Sequence, residues 1–142
     1  MARITRAQTL TGEKRKTEFY SDFLSSFAKT PIGNQLAKVT NERSINQSLK
    51  NIILTDLGER LFQPNFGSNV RSLLFDNNLE SNLTAIEFYI SNSINLSEPR
   101  VNLIEVNLQI GNNDNEVVVN IVYNTINNPE TIVFEYILKR VR

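Results

Sequence analysis

The apolar residues in the first half of the chain recur at helical spacing. A first helix is predicted by four of them that fall on one helical face, namely Ile45, Leu49, Ile52 and Ile53. Asn41 stands ahead of this stripe and is a residue type that caps helix N-termini. The helix is predicted to end between Thr55 and Gly58, where a glycine with positive φ suits the C-terminal cap.

Two more helices are predicted before Pro99. Ser68 can cap a short second helix, whose apolar residues are Val70, Leu73, Leu74 and Phe75. A longer third helix is predicted from about Leu79 to Leu96, and its apolar stripe consists of Leu79, Leu83, Ile86, Ile90 and Ile94. Pro99 limits this helix, because a proline disfavours helical backbone in the residue before it.

Beyond Pro99 the hydrophobic period changes from helical to two, which indicates β-strands. Apolar positions alternate with polar ones in three segments: Ile104, Val106, Leu108 and Ile110; Val117, Val119, Ile121 and Tyr123; and Ile132, Phe134, Tyr136 and Leu138. Turns are predicted at 111–115 and 127–129, where Gly, Asn, Asp and Pro are concentrated. Helices followed by an antiparallel meander predict an α+β fold, with about three helices packed on a C-terminal three-stranded sheet.

Composition excludes several kinds of chemistry. The 142 residues include neither Cys nor His, so disulfides, thiol nucleophiles and the usual zinc ligand sets are excluded, and a metal site would have to use carboxylates alone. The hydrophobic share of 40% is enough for one domain with a buried core. No apolar run reaches the roughly eighteen residues of a membrane span, and the N-terminus lacks the apolar stretch of a signal peptide. We therefore expect a soluble protein with no cofactor, no metal and no membrane contact.

The net charge of zero conceals an uneven distribution. Basic and acidic residues number 15 each, but five basic residues and one acidic residue lie within the first sixteen positions. We expect residues 1–18 to form a basic N-terminal arm and residues 19–142 to form the folded domain. The arm has no aromatic residue before Phe19 that could stack on bases, so we expect no nucleic-acid partner. It either threads between protein subunits or remains a solvated terminus.

Two short motifs place opposite charges just beyond predicted helix ends. They are Gly58-Glu59-Arg60 after the first helix and Glu98-Pro99-Arg100 after the third. Taken alone, each is explained by a turn or helix terminator with solvated charges. No glycine-rich phosphate-binding loop accompanies them.

The motifs become specific when they are taken in order with three other segments, 46–55, 64–68 and 73–75. Together they resemble the baseplate wedge and sheath-initiator family of contractile-tailed phages, whose relatives also occur in type VI secretion baseplates. The resemblance covers roughly residues 19 to 140, which is nearly the whole chain outside the arm.

The resemblance implies a structural protein of the virion, located in the tail baseplate and assembled in the host cytoplasm. Within the wedge, Glu98, Pro99 and Arg100 would contact a helical bundle formed by larger wedge proteins, with Gly58, Glu59 and Arg60 as support. The C-terminal strands would imitate the sheath subunit's own sheet and so initiate sheath assembly. The implied partners are other wedge proteins and the tail sheath protein, with tail tube or hub proteins as further candidates and no small-molecule substrate.

Two interpretations of the last strand remain open from the residues alone. The segments 117–123 and 131–139 alternate cleanly near the end of the chain, so an open edge can accept a neighbour's strand, and a proline at Val133 or Glu135 would then block the addition. The alternative is an edge that is merely guarded by Lys139, Arg140 and Arg142.

The alternative function is a tail-associated, lysozyme-like peptidoglycan hydrolase. A glycosidase needs two carboxylates about 5–10 Å apart, one of them with a raised pKa. The candidate pairs are Glu59 with Glu98 and Glu80 with Glu87. Glu59 and Glu98 adjoin arginines, and the other two are expected to be solvated on one helix, so neither pair favours a raised pKa. We therefore expect no enzymatic activity.

Overall fold

The computed structural model describes residues 19–31, 33–75, 79–111 and 116–139. Along the chain the elements are β1 (Ser21–Phe23), β2 (Lys38–Thr40), α1 (Glu42–Leu54), α2 (Val70–Leu74), α3 (Leu79–Ser97), β3 (Val101–Ile110), β4 (Glu116–Thr125) and β5 (Asn128–Lys139). The predicted arm, residues 112–115 of the predicted turn, and Arg140 and Arg142 lie outside the described residues.

The predicted helical stripes form one side of the hydrophobic core. All four apolar residues of the α1 stripe are buried, as are Ile86, Ile90 and Ile94 of α3. Val70 and Leu74 of α2 join the same core. Because these positions recur at the period of the helix, packing one face against the sheet removes them all from water at once.

The other side of the core is the antiparallel sheet β3–β4–β5, in which β4 is the central strand. The four apolar positions predicted for β4 are fully buried. Among them, Tyr123 donates a hydrogen bond from its hydroxyl to Oδ1 of Asn46 over 2.6 Å. Burial raises the pKa of the Tyr123 hydroxyl, with the carboxylates of Glu42 and Glu98 adding to the effect. The three helices and the C-terminal meander confirm the predicted α+β fold.

The predicted alternation along β3 is interrupted by a β-bulge. Leu103 pairs with Tyr123 and Glu105 pairs with Val122, so Ile104 is the extra residue between them. The extra residue shifts the alternation by one position. Ile104 is therefore exposed and Val106 is buried. Ile110 pairs with the buried Val117 and so lies on the core side, but at the end of the strand it is 36% exposed. The expectation that Ile104 belongs to the buried face was wrong.

Three of the predicted caps differ from the structure. Asn41 precedes α1, but its Oδ1 accepts hydrogen bonds from the backbone N–H groups of Phe19 and Tyr20 and makes no capping bond. The helix ends at Leu54, and Gly58 lies in the loop beyond it with φ of +82°.

The third difference concerns Ser68. Helix α2 begins after Asn69, and the Ser68 hydroxyl donates to the carbonyl of Ile53 over 2.8 Å. A buried hydroxyl takes a long-range partner in preference to a local cap when tertiary packing brings a carbonyl within reach. Phe75, predicted on this helix, lies directly after it and is half-exposed.

A short hairpin of β1 and β2 precedes the first helix and was not predicted. Asp22 pairs with Val39 at its centre. The amide side chain of Gln47, on α1, donates to the carbonyl of Phe23 and accepts from the N–H of Ser25. Strands of three residues carry too little periodicity to be detected, and this hairpin depends on its contact with α1. No helix in the described residues is both long enough and apolar enough to span a membrane.

Candidate interaction site

The Glu98-Pro99-Arg100 motif forms the corner between α3 and β3. The N–H of Glu98 donates to the carbonyl of Ile94 over 2.8 Å and completes the last helical turn. Pro99 cannot continue the helix, because it has no N–H to donate. The N–H of Val101 then donates to the carbonyl of Glu98 over 3.2 Å, and the chain enters the sheet.

The two charges of this motif form a bidentate ion pair. Nε of Arg100 lies 2.6 Å from Oε1 of Glu98, and Nη2 lies 2.7 Å from Oε2. The carboxylate is only 3% exposed, whereas the arginine side chain is 34% exposed. Glu98 is therefore held inside the protein, and Arg100 covers it with a partly exposed guanidinium. A pair with this geometry is stronger and more directional than two solvated charges.

The environment keeps both groups charged. Burial alone would raise the pKa of Glu98, but hydrogen bonds from Arg100 and Ser48, together with the positive charge of Arg100, lower that pKa below its ordinary value. The hydrogen bond to Glu98 correspondingly raises the pKa of Arg100. A carboxyl group of this kind lacks the raised pKa that a glycosidase acid requires.

Tyr20 lies beneath the arginine and connects the start of the domain to this corner. The guanidinium carbon of Arg100 is 5.4 Å from the centre of the Tyr20 ring. The Tyr20 hydroxyl accepts a hydrogen bond from Nδ2 of Asn127, in the β4–β5 turn, over 2.8 Å. The carbonyl of Arg100 accepts from the N–H of Ile126 over 3.3 Å. Tyr20 and Asn127 were not predicted as site residues, because partners about a hundred positions apart leave no local pattern.

Gly58, Glu59 and Arg60 lie in the loop between α1 and α2. Oε2 of Glu59 accepts a hydrogen bond from the N–H of Asp56 over 3.0 Å. The guanidinium carbon of Arg60 lies 4.5 Å from the centre of the Phe66 ring. Both charged side chains are thus oriented by contacts within the loop.

The same loop is closed at its base. The N–H of Ser68 donates to the carbonyl of Thr55 over 2.8 Å. Gly67 has φ of +113°, and a Cβ atom there would lie 2.5 Å from the Thr55 carbonyl oxygen. Only glycine therefore allows the two ends of the loop to approach so closely. An ion pair of 3.2 Å between Arg71 and Asp56 adds to the closure.

A polar groove connects the surroundings of the two motifs. Its volume is about 520 Å³, and its lining residues are Asp22, Ser48, Asn51, Thr55, Glu59, Arg60 and Phe66. Ser48 also hydrogen-bonds Glu98. The charge of Asp22 contributes to the raised pKa of Arg100. The structure thus brings Glu98 and Arg100 to one end of a surface on which Glu59 and Arg60 also lie.

Val133 and Glu135 lie elsewhere, on the outer face of β5. They pair with Val122 and Asn120 of β4, and both are exposed. Ile132, which precedes Val133 on β5, points to the opposite side and packs against the hydrophobic core. The predicted strand site is therefore separate from the groove beside α1. Within the described residues, no group of three or more carboxylates is close enough to hold a metal ion.

The sequence and the fold of this chain are both similar to those of known proteins. The family description "Baseplate wedge protein gp25" matches residues 39–130. The chain is 30% identical over 115 residues to the baseplate wedge protein gp25 of Enterobacteria phage T4, a match that covers 81% of this chain and 86% of that protein.

Two solved structures are also similar. One is from Geobacter sulfurreducens and is named, only provisionally, a tail lysozyme; it is 26% identical with a TM-score of 0.58 and covers 71% of this chain and 94% of that one. The other is a chain of the anti-feeding prophage baseplate, 18% identical with a TM-score of 0.59, which covers 84% of this chain and 85% of that chain. At 18% identity, the likeness to this second structure shows a similar fold only. Because the family description spans more than half of the chain and the T4 protein matches most of it, this chain belongs to the baseplate wedge protein gp25 family.

Proposed function

We propose that this chain is a structural subunit of a contractile phage tail baseplate that joins the helical bundle of the wedge to the tail sheath. As a member of the wedge protein family it is a baseplate component, and other baseplate proteins are its partners. The observation that carries the proposal is the bidentate Glu98–Arg100 pair at an exposed corner of the fold. Tail sheath is the second partner, and the tail tube or hub is a further neighbour.

The wedge contact was expected from Glu98, Pro99 and Arg100. It is assigned to Pro99 and the exposed part of Arg100, because the Glu98 side chain is only 3% exposed and acts through Arg100. In the described part of the chain, Arg100 bonds to Glu98 through Nε and Nη2, which leaves Nη1 for an acceptor on a helix of the bundle. The buried Glu98 holds the guanidinium in one orientation, so less side-chain entropy is lost on binding. Glu59 and Arg60, along the same groove, supply the supporting contacts.

The sheath contact is assigned to β5. Within the described sheet β5 pairs only with β4, so its other edge can accept hydrogen bonds from an added strand. Val133 and Glu135 project outward from this strand, and Val133 is 63% exposed. Main-chain pairing fixes register strictly, which suits a layer that begins a repeating polymer.

A peptidoglycan hydrolase is the second candidate, favoured only by the provisional name of the Geobacter protein. Against it, the pKa of Glu98 is lowered, and the carboxylate of Glu59 is engaged by the N–H of Asp56. The purified chain should release no soluble fragments from peptidoglycan. If the wild-type chain does release fragments, and the folded variants Glu59→Gln and Glu98→Gln both do not, the hydrolase is favoured instead.

The decisive experiment is cryo-electron microscopy of the intact particle in the extended state. We expect density for this chain in contact with a wedge bundle at Arg100 and with the first sheath ring at β5. A chain that contacts the bundle but not the sheath would contradict the sheath assignment alone. Absence of the chain from purified baseplates would contradict the whole proposal.

A further inference from the structure

The tip of the loop between α1 and α2 carries two apolar side chains that are exposed to solvent. Leu61 is 82% exposed and Phe62 is 100% exposed. Neither side chain belongs to the hydrophobic core or packs against it among the described residues. Large apolar side chains at this exposure contribute nothing to burial within the monomer.

The backbone at this tip is also unfavourable for the residue that occupies it. Phe62 has φ of +66°, in the left-handed region. Bulky residues rarely adopt this conformation, whereas Gly and Asn adopt it readily. Phe62 therefore raises the conformational energy of the backbone and contributes nothing to the hydrophobic core. Strain of this kind is concentrated at functional sites.

The loop presents the tip in a fixed orientation. Across its neck, the N–H of Gly58 donates to the carbonyl of Pro64 over 3.0 Å. Closer to the tip, the N–H of Gln63 donates to the carbonyl of Arg60 over 3.2 Å, and the Arg60 guanidinium covers Phe66. A side chain that is already positioned before binding loses less entropy when it is buried by a partner.

We propose that Leu61 and Phe62 form a hydrophobic anchor that inserts into an apolar pocket of a neighbouring baseplate protein. The identity of the neighbour rests on the proposed function. Arg60 lies beside the tip and also lines the polar groove, so one partner can bury the anchor and meet Glu59 and Arg60 at its polar rim. A buried aromatic surrounded by polar contacts is the usual organisation of an interface hot spot.

A protein partner fits the tip better than a membrane surface. Next to the tip, the negative charge of Glu59 stands beside the positive charge of Arg60, and at the base of the loop Asp56 is paired with Arg71. Apolar segments that insert into membranes are usually flanked by several cations, which attract anionic lipids. The mixed charge therefore favours a shaped protein pocket.

The test compares matched variants in baseplate reconstitution from purified wedge proteins. We expect Leu61→Ser with Phe62→Ser to reduce incorporation by about tenfold or more, as is typical of a lost hot spot. Phe88→Ser is the matched control, since Phe88 is 65% exposed on α3, and it should incorporate like wild type. Phe62→Asn should lose incorporation while its Tm stays equal to that of wild type or rises, because Asn tolerates the left-handed backbone.

Three results would overturn the anchor. The first is incorporation of the double variant at the wild-type level, and the second is a clear fall in Tm for Phe62→Asn, which would assign Phe62 to the fold. The third is binding to vesicles of anionic phospholipid by the wild-type chain but not by the double variant. Failure of the wild-type chain itself to enter the baseplate would contradict the proposed function and, with it, the anchor. Loss confined to the tip variants, with Phe88→Ser unaffected, supports the anchor specifically.

Discussion

At the scale of single residues, the burial of Glu98 decides what the motif around it can do. A carboxylate that is 3% exposed must have its charge compensated inside the protein, and Arg100 does so with two short hydrogen bonds. Arg100 therefore stabilises Glu98, and in the proposed wedge contact it would also present a cation to a partner. Substitution of Arg100 alone therefore does not distinguish an effect on stability from an effect on partner binding.

Arg100→Ala is predicted to lower the free energy of unfolding by about 1–3 kcal/mol, because it leaves a buried carboxylate with Ser48 as its hydrogen-bonding side chain; the partial exposure of Arg100 limits the loss. Urea denaturation of the isolated chain measures this change. Taken alone, the motif was explained by solvated charges, whose loss costs little stability, and the bidentate geometry revises that expectation.

The control for this prediction is the double variant Glu98→Gln with Arg100→Ala, which removes the buried charge together with its partner. Its stability should lie closer to wild type than that of Arg100→Ala, as coupled residues are not additive. If the double variant is folded but fails to enter the wedge, Arg100 acts at the interface. Equal stability losses for the arginine variant and the double variant would contradict the coupling.

The lowered pKa of Glu98 predicts a pH dependence of stability in acid. A depressed carboxyl pKa contributes stability that is fully present above the pKa of the unfolded chain and is lost as the pH falls through the folded-state value. Stability should therefore decline between these two values, and the decline should be shallower in Glu98→Gln. Thermal unfolding measured over a series of acidic pH values tests this, and identical slopes in the two proteins would count against it.

At the scale of elements, the sequence predicted the regular parts of the fold better than their ends. The stripe of α1 and the alternation of β4 were confirmed, because burial of one face imposes the period of the element on its residues. Caps and bulges were missed where long-range contacts replaced local ones. Asn41 holds Phe19 and Tyr20, and nothing near Ile104 in the sequence marks it as the extra residue of a bulge.

The loop between α1 and α2 allows a matched pair of glycine substitutions. Gly67→Ala is predicted to destabilise the protein by more than Gly58→Ala, because both positions have positive φ but only the Cβ at 67 would meet a backbone carbonyl, at 2.5 Å. Strained φ costs about 1–2 kcal/mol at either site, and the close contact adds to it at Gly67. Comparison of Tm values tests the order, and a larger loss at Gly58 would contradict the described loop geometry.

Strand addition at β5 is tested by removing a backbone donor. Along an edge strand, successive N–H groups alternate between the paired strand and the free edge, so Val133 and Glu135 share one direction. Val133→Pro is predicted to reduce sheath recruitment, with Val133→Thr as the control that keeps the N–H. Circular dichroism must first show that the proline variant folds.

The Val133→Pro variant is informative whether or not it folds. A folded Val133→Pro variant that recruits sheath normally would contradict pairing through this set of N–H groups. An unfolded one would show that this set bonds to β4, and a proline at Phe134, in the alternate set, then becomes the test of the free edge.

At the scale of the whole molecule, the predicted basic arm lies outside the described residues, while the described core is formed between residues 45 and 138. Deletion of residues 2–16 is therefore predicted to leave the Tm of the isolated chain almost unchanged. Wedge assembly should weaken, because the arm contributes five cations that can contact acidic protein surfaces. Replacement of its Lys and Arg residues by Gln separates charge from length. Assembly at the wild-type level after deletion would contradict a role for the arm.

Local sequence patterns were sufficient to predict the α+β order of elements, the apolar faces that form most of the core and the lack of His and Cys chemistry. The short motifs also indicated the family, because local spacing is written directly in the chain. The remaining features require the folded chain. Only folding shows that Glu98 is buried beneath Arg100, that Tyr20 and Asn127 meet at this corner, and that Phe62 remains exposed in a strained backbone. These features depend on contacts between distant residues, and a one-dimensional pattern contains no record of them.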